Sequence, residues 1–365
     1  RDAVERAEKQ AGTSVSSIWV GCSGAGLASQ VAQVEVDIGG RRIEEEDVEL
    51  LLLTARDGIQ PDGRMVLHAQ PAHYTLDGAH GVANPKGLHA ERLGVAVHVM
   101  LADGAPVTNL IEAVQKAHLE VETVVAAPIA AGHACLSPEE RDLGTALIEI
   151  GGDVTNVSIY SGGILRALRS IPMGSADITD AIASAFGIRR FQAERLKCVA
   201  GSAIASPTDH REMIPVDGPG ETASGAVARG ADDANRIPRA ELVSVVTEEL
   251  AKLTAEIGKA LKDLGYSGAR GGQVVLTGGG AELAGVAEFA QGALGRPVRI
   301  GKPPALRGLP EAHATPGFAT LAGLCLYAAA DPVDIRSVGS RFQQSTRHGG
   351  RGLAIRVWHA MRQHF

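Results

Sequence analysis

Two glycine clusters, each on a strand–turn unit, carry the clearest chemical potential in the sequence. The first lies in Thr145–Gly163, TALIEIGGDVTNVSIYSGG. An apolar run, Ala146 to Ile150, leads into Gly151 and Gly152. Alternation resumes through Val157, Ile159 and Tyr160, and a second pair, Gly162 and Gly163, follows. This pattern predicts two antiparallel strands joined by a tight turn. Glycine allows positive φ and close approach to a ligand, and successive amides in such a turn form a concave anion site. An ordinary hairpin explains the same residues equally well. The second cluster lies in Gln273–Leu283, QVVLTGGGAEL. A short apolar strand, Val274 to Leu276, runs through Thr277 into Gly278, Gly279 and Gly280, and a helical pattern is read from Glu282 to Leu294. A glycine turn between a buried strand and a helix start is a nucleotide-approach geometry. Either cluster alone is a weak signal. Together, separated by a mostly helical segment, they predict a two-lobed nucleotide cleft.

Other chemistry is poorly represented. Cys22, Cys135, Cys198 and Cys325 form no C-x-x-C, so free thiols in a reducing compartment are expected. The histidines, His210 and His313 among them, show no ligand spacing, so no metal site is predicted, and no Ser/His/Asp constellation stands out. A net charge of −7 argues against nucleic acid as the main partner. No run is apolar enough to span a bilayer, and no signal peptide is read.

The elements that must position the glycines divide a 365-residue chain too long for one simple core. A charged helix is expected over Arg1–Gln10, then a strand over Val15–Val20. Another strand over Ala28–Val36 is read as continuing the first lobe. Residues 38–121 read as a separate small domain. It holds a helix over Glu44–Arg56 with an acidic first turn that suits its dipole. Strands over Met65–Leu76 and Leu93–Leu101 follow, with a turn region from Gly78 to Gly87 between them. A helix over Pro106–His118 closes the domain. Glu122–Leu136 is a strand and a helix of small residues, and the stretch from Glu311 has the same Ala/Gly texture. Such helices pack closely. Helices are also predicted over Ala176–Phe186, Arg189–Cys198 and Arg239–Gly265, with loops and short strands over Ile204–Gly230.

At this point the chain resembles a known family. IEIGGDVTNVSIYSGG looks like the second phosphate loop of the actin, sugar-kinase and heat-shock ATPase superfamily, and VVLTGGGAEL looks like its adenosine motif. Gly40 to Val48, the turn Asn84-Pro85-Lys86-Gly87, Ala193 to Lys197 and a basic amphipathic end at Phe365 resemble the bacterial cell-division FtsA family. The resemblance implies an α/β, actin-like (ribonuclease H-like) two-lobed ATPase fold with a small inserted 1C-type domain and a C-terminal amphipathic helix. It assigns 1–37 and 122–144 to subdomain 1A, 38–121 to 1C, 145–187 and 269–310 to 2A, and 188–268 to 2B. A 1A connecting helix follows over 311–333, a flexible linker over 334–352 and a membrane-targeting helix over 353–365. The small-residue helices then match the paired connecting helices between lobes. The family's first phosphate loop is not in this sequence, which implies that a few dozen residues precede Arg1.

The resemblance also implies roles. Glu149 falls where the superfamily places an Asp that orients Mg²⁺ through water. Gly151 and Gly152 would give amides to ATP phosphates, and Thr155 keeps a threonine of the loop. Gly174 and Ser175 match a phosphate or ribose contact at a helix start. Glu194 and Lys197 match residues that hold ribose and adenine, and Gly278, Gly279 and Gly280 would pack on the nucleoside. Without the resemblance, Glu194 and Lys197 read as a solvated i,i+3 pair. The loop departs from the family at Glu149, Asp153, Val154 and Asn156. A carboxylate a few ångströms from a phosphate repels it by roughly 1 to 4 kcal/mol. ATP and Mg²⁺ binding are therefore expected to be weakened, and hydrolysis very slow.

The tail, Leu353–Phe365, gathers Leu353, Val357, Trp358, Met361 and Phe365 on one helical face and Arg356 and Arg362 on the other. Ile355 and His364 fall off these faces; such a helix lies in an anionic membrane interface or docks onto the body or a partner. The resemblance implies an FtsZ tail-peptide site on 2B that includes Glu249 and Lys252, self-association into filaments, recruitment of later divisome proteins through the 1C-like domain, and a division-site location on the cytoplasmic face of the inner membrane. The rival readings are an actin-fold phosphotransferase of sugar- or acetate-kinase type, for which Asp153 is the nominee, and a type IV pilus assembly scaffold.

Overall fold

The computed structural model describes residues 2–24, 26–216, 236–266, 272–306, 310–330 and 332–337. The chain divides into two compact units: 1–144, 158–168 and 323–365 in the first, 145–157 and 169–322 in the second.

In the first unit, α1 (Asp2–Ala11) precedes β1 (Ser17–Cys22) and β2 (Ala28–Asp37). Then come α2 (Glu45–Asp57), β3 (Met65–Leu76), β4 (Ala79–Val82) and β5 (Arg92–Ala102). Next are α3 (Gly104–Gln115), β6 (Glu120–Ala126), α4 (Ala127–Cys135) and α5 (Pro138–Leu143). Strand β1 pairs in parallel with β6. A separate four-stranded sheet has the order β2-β5-β3-β4. Strand β2 was expected to continue the first lobe, but it belongs to the small sheet, pairing antiparallel with β5 from Ala28↔Leu101 to Asp37↔Arg92. Its alternation is that of a strand covered on one face by a helix, and its own sequence does not name the partner. Helix α3 was expected to close the small domain; it packs on β6 instead. The turn region between the long strands holds the edge strand β4, whose hairpin turns at Asp77 (φ 50) and Gly78 (φ 84).

The small sheet buries Val34, Val36, Leu93, Val95, Val97, Val99 and Leu101 against Leu51, Leu52 and Ala55 of α2. Helix α2 starts cleanly because Asp47 accepts from the Glu44 amide at 2.9 Å and is ion-paired to Arg41. That pairing holds the Asp47 carboxyl below the usual carboxylate range. Behind the sheet, the Tyr327 ring meets Trp19 edge-on at 5.9 Å and His133 at 5.3 Å.

A five-stranded sheet has the order β13-β12-β7-β8-β9, and its residues outside 158–168 lie in the second unit. Strands β7 (Thr145–Ile150), β8 (Thr155–Ser161) and β9 (Ile164–Ile171) are consecutive, adjacent and joined by short turns, hence antiparallel. The predicted hairpin is thus present, and β9 extends it. Gly162 (φ 60) and Gly163 (φ 79) make the second turn, which needs two left-handed residues. Helices α6 (Ser175–Phe186) and α7 (Arg190–Ala200) follow, then the short antiparallel pair β10 (Met213–Pro215) and β11 (Arg236–Pro238) and the long α8 (Arg239–Asp263). Strand β12 (Gln273–Thr277) pairs in parallel with β7 and with β13 (Val298–Ile300). The helical pattern read from Glu282 begins later. Gly279–Glu282 is one 3-10 turn, and α9 (Val286–Leu294) starts after Gly285, whose φ of 77° cannot continue a helix.

The last helix, α10 (Ala319–Ala330), approaches α4 as closely as its composition suggested: a Cβ on Gly323 would lie 1.8 Å from the Ala130 carbonyl oxygen. Tyr160 Oη fills the space over Gly132 and donates to the Pro128 carbonyl at 2.8 Å. The linker expected from Asp334 does not begin there. Ile335 is fully buried in the small-sheet core, because its side chain is apolar in a polar run. Residues 338–365, including the amphipathic tail, lie outside the described residues.

Candidate functional site

The second unit gathers its expected residues at one end of its sheet, past the carboxyl ends of β7 and β12, where ligands bind in open parallel sheets. Thr277 is the register partner of Glu149, so the two glycine runs leave the sheet side by side. Their closeness is steric fact. A Cβ on Gly278 would stand 2.5 Å from the Ile150 carbonyl oxygen, and one on Gly280 would stand 2.3 Å from Ile150 Cγ2. Gly278 also needs φ +84.

Glu149 is 7% exposed. It accepts from Asn156 Nδ2 at 3.0 Å and from the Thr320 hydroxyl. Asn156 in turn accepts from Ser170 Oγ at 2.7 Å. Asparagine at 156 thus supplies Glu149 with a donor. Thr155 is buried, and among the described residues its hydroxyl has no hydrogen-bond partner. Asp153 and Gly152 are exposed at the tip of the turn.

Gly174 and Ser175 are brought to the same turn. Ser175 N–H donates to the Gly151 carbonyl at 2.9 Å, and Ala176 N–H to the Gly152 carbonyl at 2.8 Å. Gly174 N–H donates to Asp177 Oδ2 at 2.7 Å, and Gly151 N–H to the Val154 carbonyl at 2.9 Å. A Cβ on Gly174 would fall 2.2 Å from the Gly152 oxygen. The first amides of α6 are thus capped by the hairpin turn itself.

Glu194 and Lys197 form the i,i+3 pair, with the glutamate half exposed and the lysine buried. Lys197 is 8% exposed. Its ammonium donates to Glu194 Oε2 at 2.7 Å, to the Ser175 carbonyl at 2.9 Å and to Thr179 Oγ1 at 2.7 Å. Burial pushes the Glu194 carboxyl up, but its hydrogen bonds from Lys197 and Thr179 outweigh this and hold it below the ordinary range. A buried lysine with three acceptors fixes α7 against the first turn of α6.

These residues fit the two ends of a nucleotide unequally. The nucleoside end has a fixed carboxylate on Glu194 and a glycine-walled approach at Gly278–Gly280. The phosphate end does not fit as it stands, because the amides of Gly151, Gly174 and Ser175 already donate to protein oxygens. The carboxylate expected to orient Mg²⁺ through water, Glu149, is held by Asn156 and Thr320, and among the described residues no three His, Cys, Asp or Glu side chains are grouped as direct metal ligands.

Sequence reasoning missed Thr320, which lies 171 residues from Glu149 with no local signal. It also missed Thr179, whose spacing of one helical turn from Ser175 was available. Of the expected peptide-site residues, Lys252 pairs with Glu249 at 2.6 Å and with Glu248 at 3.4 Å on α8, and the Glu249 contact raises its pKa. The tail residues Leu353, Arg356, Val357, Trp358, Met361, Arg362 and Phe365 lie outside the described residues. No described helix is long and apolar enough to cross a membrane.

The fold and this glycine-lined sheet end define an actin-like α/β protein with an inserted small domain. A solved structure titled "PilM-PilN type IV pilus biogenesis complex" shares the fold at 20% identity and a TM-score of 0.53, covering 84% of this chain and 79% of that one. The profile described as "SHS2 domain inserted in FTSA" matches residues 24–101, and that described as "Cell division protein FtsA" matches 146–323. The Agrobacterium fabrum cell division protein FtsA is 34% identical over 359 residues, 98% of this chain and 80% of its own length. The Escherichia coli K12 protein is 31% identical over 326 residues, 89% and 77% of the two chains. The chain belongs to the FtsA cell division protein family.

Proposed function

We propose that this protein ties FtsZ filaments to the cytoplasmic face of the inner membrane at the division site and acts by attachment rather than turnover. The observation that carries the reading is an FtsA-family body with an SHS2 insert on a chain whose last thirteen residues alternate apolar and basic faces at helical spacing. Leu353, Val357, Trp358, Met361 and Phe365 would enter an anionic bilayer interface, with Arg356 and Arg362 at the headgroups. One such helix binds weakly, so self-association of the body would supply the avidity. The FtsZ tail peptide would meet α8 near Glu249 and Lys252, and the small domain would recruit later divisome proteins. A purine nucleotide would be held through Glu194, Lys197 and Gly278–Gly280, as a structural ligand. Phosphate binding through Gly151, Gly152, Thr155 and Ser175 requires the hairpin turn to leave the start of α6, so hydrolysis is slow.

Co-sedimentation with purified FtsZ and acidic liposomes tests this. The chain should carry FtsZ into the lipid pellet, and removal of 353–365 should leave both proteins in the supernatant. Unchanged pelleting without the tail would refute lipid anchoring. Glu249→Arg should weaken binding of the cognate FtsZ peptide about tenfold if a charged pair is met there; unaltered binding would remove α8 from that site.

A further inference from the structure

The small sheet is completed by residues that follow α10. Strand β3 pairs with β4 only from Tyr74 to Leu76 among the described residues, so its edge from Met65 to Gln70 has no strand beside it. The chain after α10 covers that edge. Ile335 enters the core shared by α2 and the sheet, 0% exposed. Its amide donates to the Ala69 carbonyl at 2.9 Å. Arg336 Nη1 donates to the Val66 carbonyl at 2.9 Å. Eight residues earlier, the Tyr327 hydroxyl accepts from Gln70 Nε2.

The segment is also locked on itself. Asp334 holds the Arg336 guanidinium at 2.7–3.0 Å and accepts from the Arg336 amide at 2.9 Å. The Ser337 hydroxyl donates to the Asp334 carbonyl at 2.8 Å. A turn that fixes its own arginine presents that arginine to β3 at little further entropic cost.

We propose that Asp334–Ser337 is a strap fastening the root of the tail to the small sheet, so that load on the tail enters the molecule through β3. The part concerning load rests on the lipid-binding reading of 353–365; the strap itself does not. Fifteen residues, 338–352, separate Ser337 from Leu353. Fully extended they reach about 50 Å. A lipid-bound tail therefore keeps the strap within about that distance of the bilayer.

Hydrogen exchange of the full chain, free and on vesicles of anionic and neutral phospholipid, tests the strap. In the free protein, peptides covering Ile335–Ser337 should exchange at least tenfold slower than an unfolded chain. Arg336→Ala, a surface change that spares the core, should speed exchange in 332–337 about fivefold, as a lost edge contact would, and loosen 65–70 while leaving α6 unaltered. Ile335→Ser should do so more strongly. On vesicles, the wild-type strap should stay protected. Unprotected exchange at Ile335 in the free protein, or no response of 65–70 to either variant, would overturn the strap. Loss of strap protection on vesicles would overturn the load path. Failure to bind vesicles would refute the lipid reading and, with it, the load path, while the free-protein pattern still decides the strap.

Discussion

The glycine-lined sheet end of the second unit and the small sheet of the first both join segments far apart in sequence, by opposite means. In the second unit side chains are removed: backbone meets backbone at Gly174 over Gly151 and Gly152, and at Gly278 over Ile150. In the first a side chain is added: Ile335 fills the core between α2 and the sheet. The first device leaves a motif, because only glycine is tolerated and several occur together. The second leaves one isoleucine in a polar stretch. A contact made by omission is easier to read in a sequence than a contact made by insertion.

The comparison breaks most easily at the glycines. Gly174→Ala sets a Cβ 2.2 Å from a carbonyl oxygen that cannot move without uncapping α6. It should cost about 3 kcal/mol or more, as strong overpacking does. Denaturant unfolding measures this, and a loss below 1 kcal/mol would show that the turn is free to retreat. Ile335→Ala removes a fully buried side chain and should cost about 2–4 kcal/mol. An unchanged unfolding midpoint would mean that the strap is not part of the small-domain core.

Acid should separate the two units with a smaller effect. Burial pushes His98 and His133 down to about 4, and His68 well below its ordinary value. All three belong to the first unit. A histidine whose folded pKa lies under its unfolded value of about 6.5 contributes full stability above that pH and loses it as pH falls toward the folded pKa. The first unit should therefore weaken between pH 6.5 and 4, by roughly 2 kcal/mol or more in total. In the second unit Glu194 and Asp209 are shifted below their ordinary values, Asp209 first by the Ser206 amide. Their contribution is present above about pH 4.3 and is lost only as pH falls through the lowered values. Proteolysis against pH should cut the first unit earlier, and His98→Leu should flatten its acid response. Simultaneous cleavage of both units would contradict this ordering.

Much of the site was legible in the residues. The hairpin Thr145–Ser161, its glycine turn and the strand into Gly278 follow from period-two alternation and glycine pairs, which are local signals. The helix pattern after Gly280 misled, because Glu282 and Leu283 fit the 3.6-residue period while Gly285 breaks it with a left-handed φ. Glu194 and Lys197 were visible as an i,i+3 pair. That Lys197 is buried, and donates to Ser175 and Thr179, depends on how α7 packs on α6. The use of β2 in the small sheet was not legible, since alternation marks a strand without naming its neighbour.

The sequence by itself determined the strands, the glycine turns and the amphipathic pattern of the tail, because those depend on the spacing of residues close together along the chain. Only the tertiary structure decided that the hairpin carbonyls cap α6, that Thr320 and Asn156 hold Glu149, and that Ile335 completes the small sheet. Each of these joins groups whose separation along the chain carries no periodic signal, and each is set by which surfaces remain to be buried once the local elements have formed.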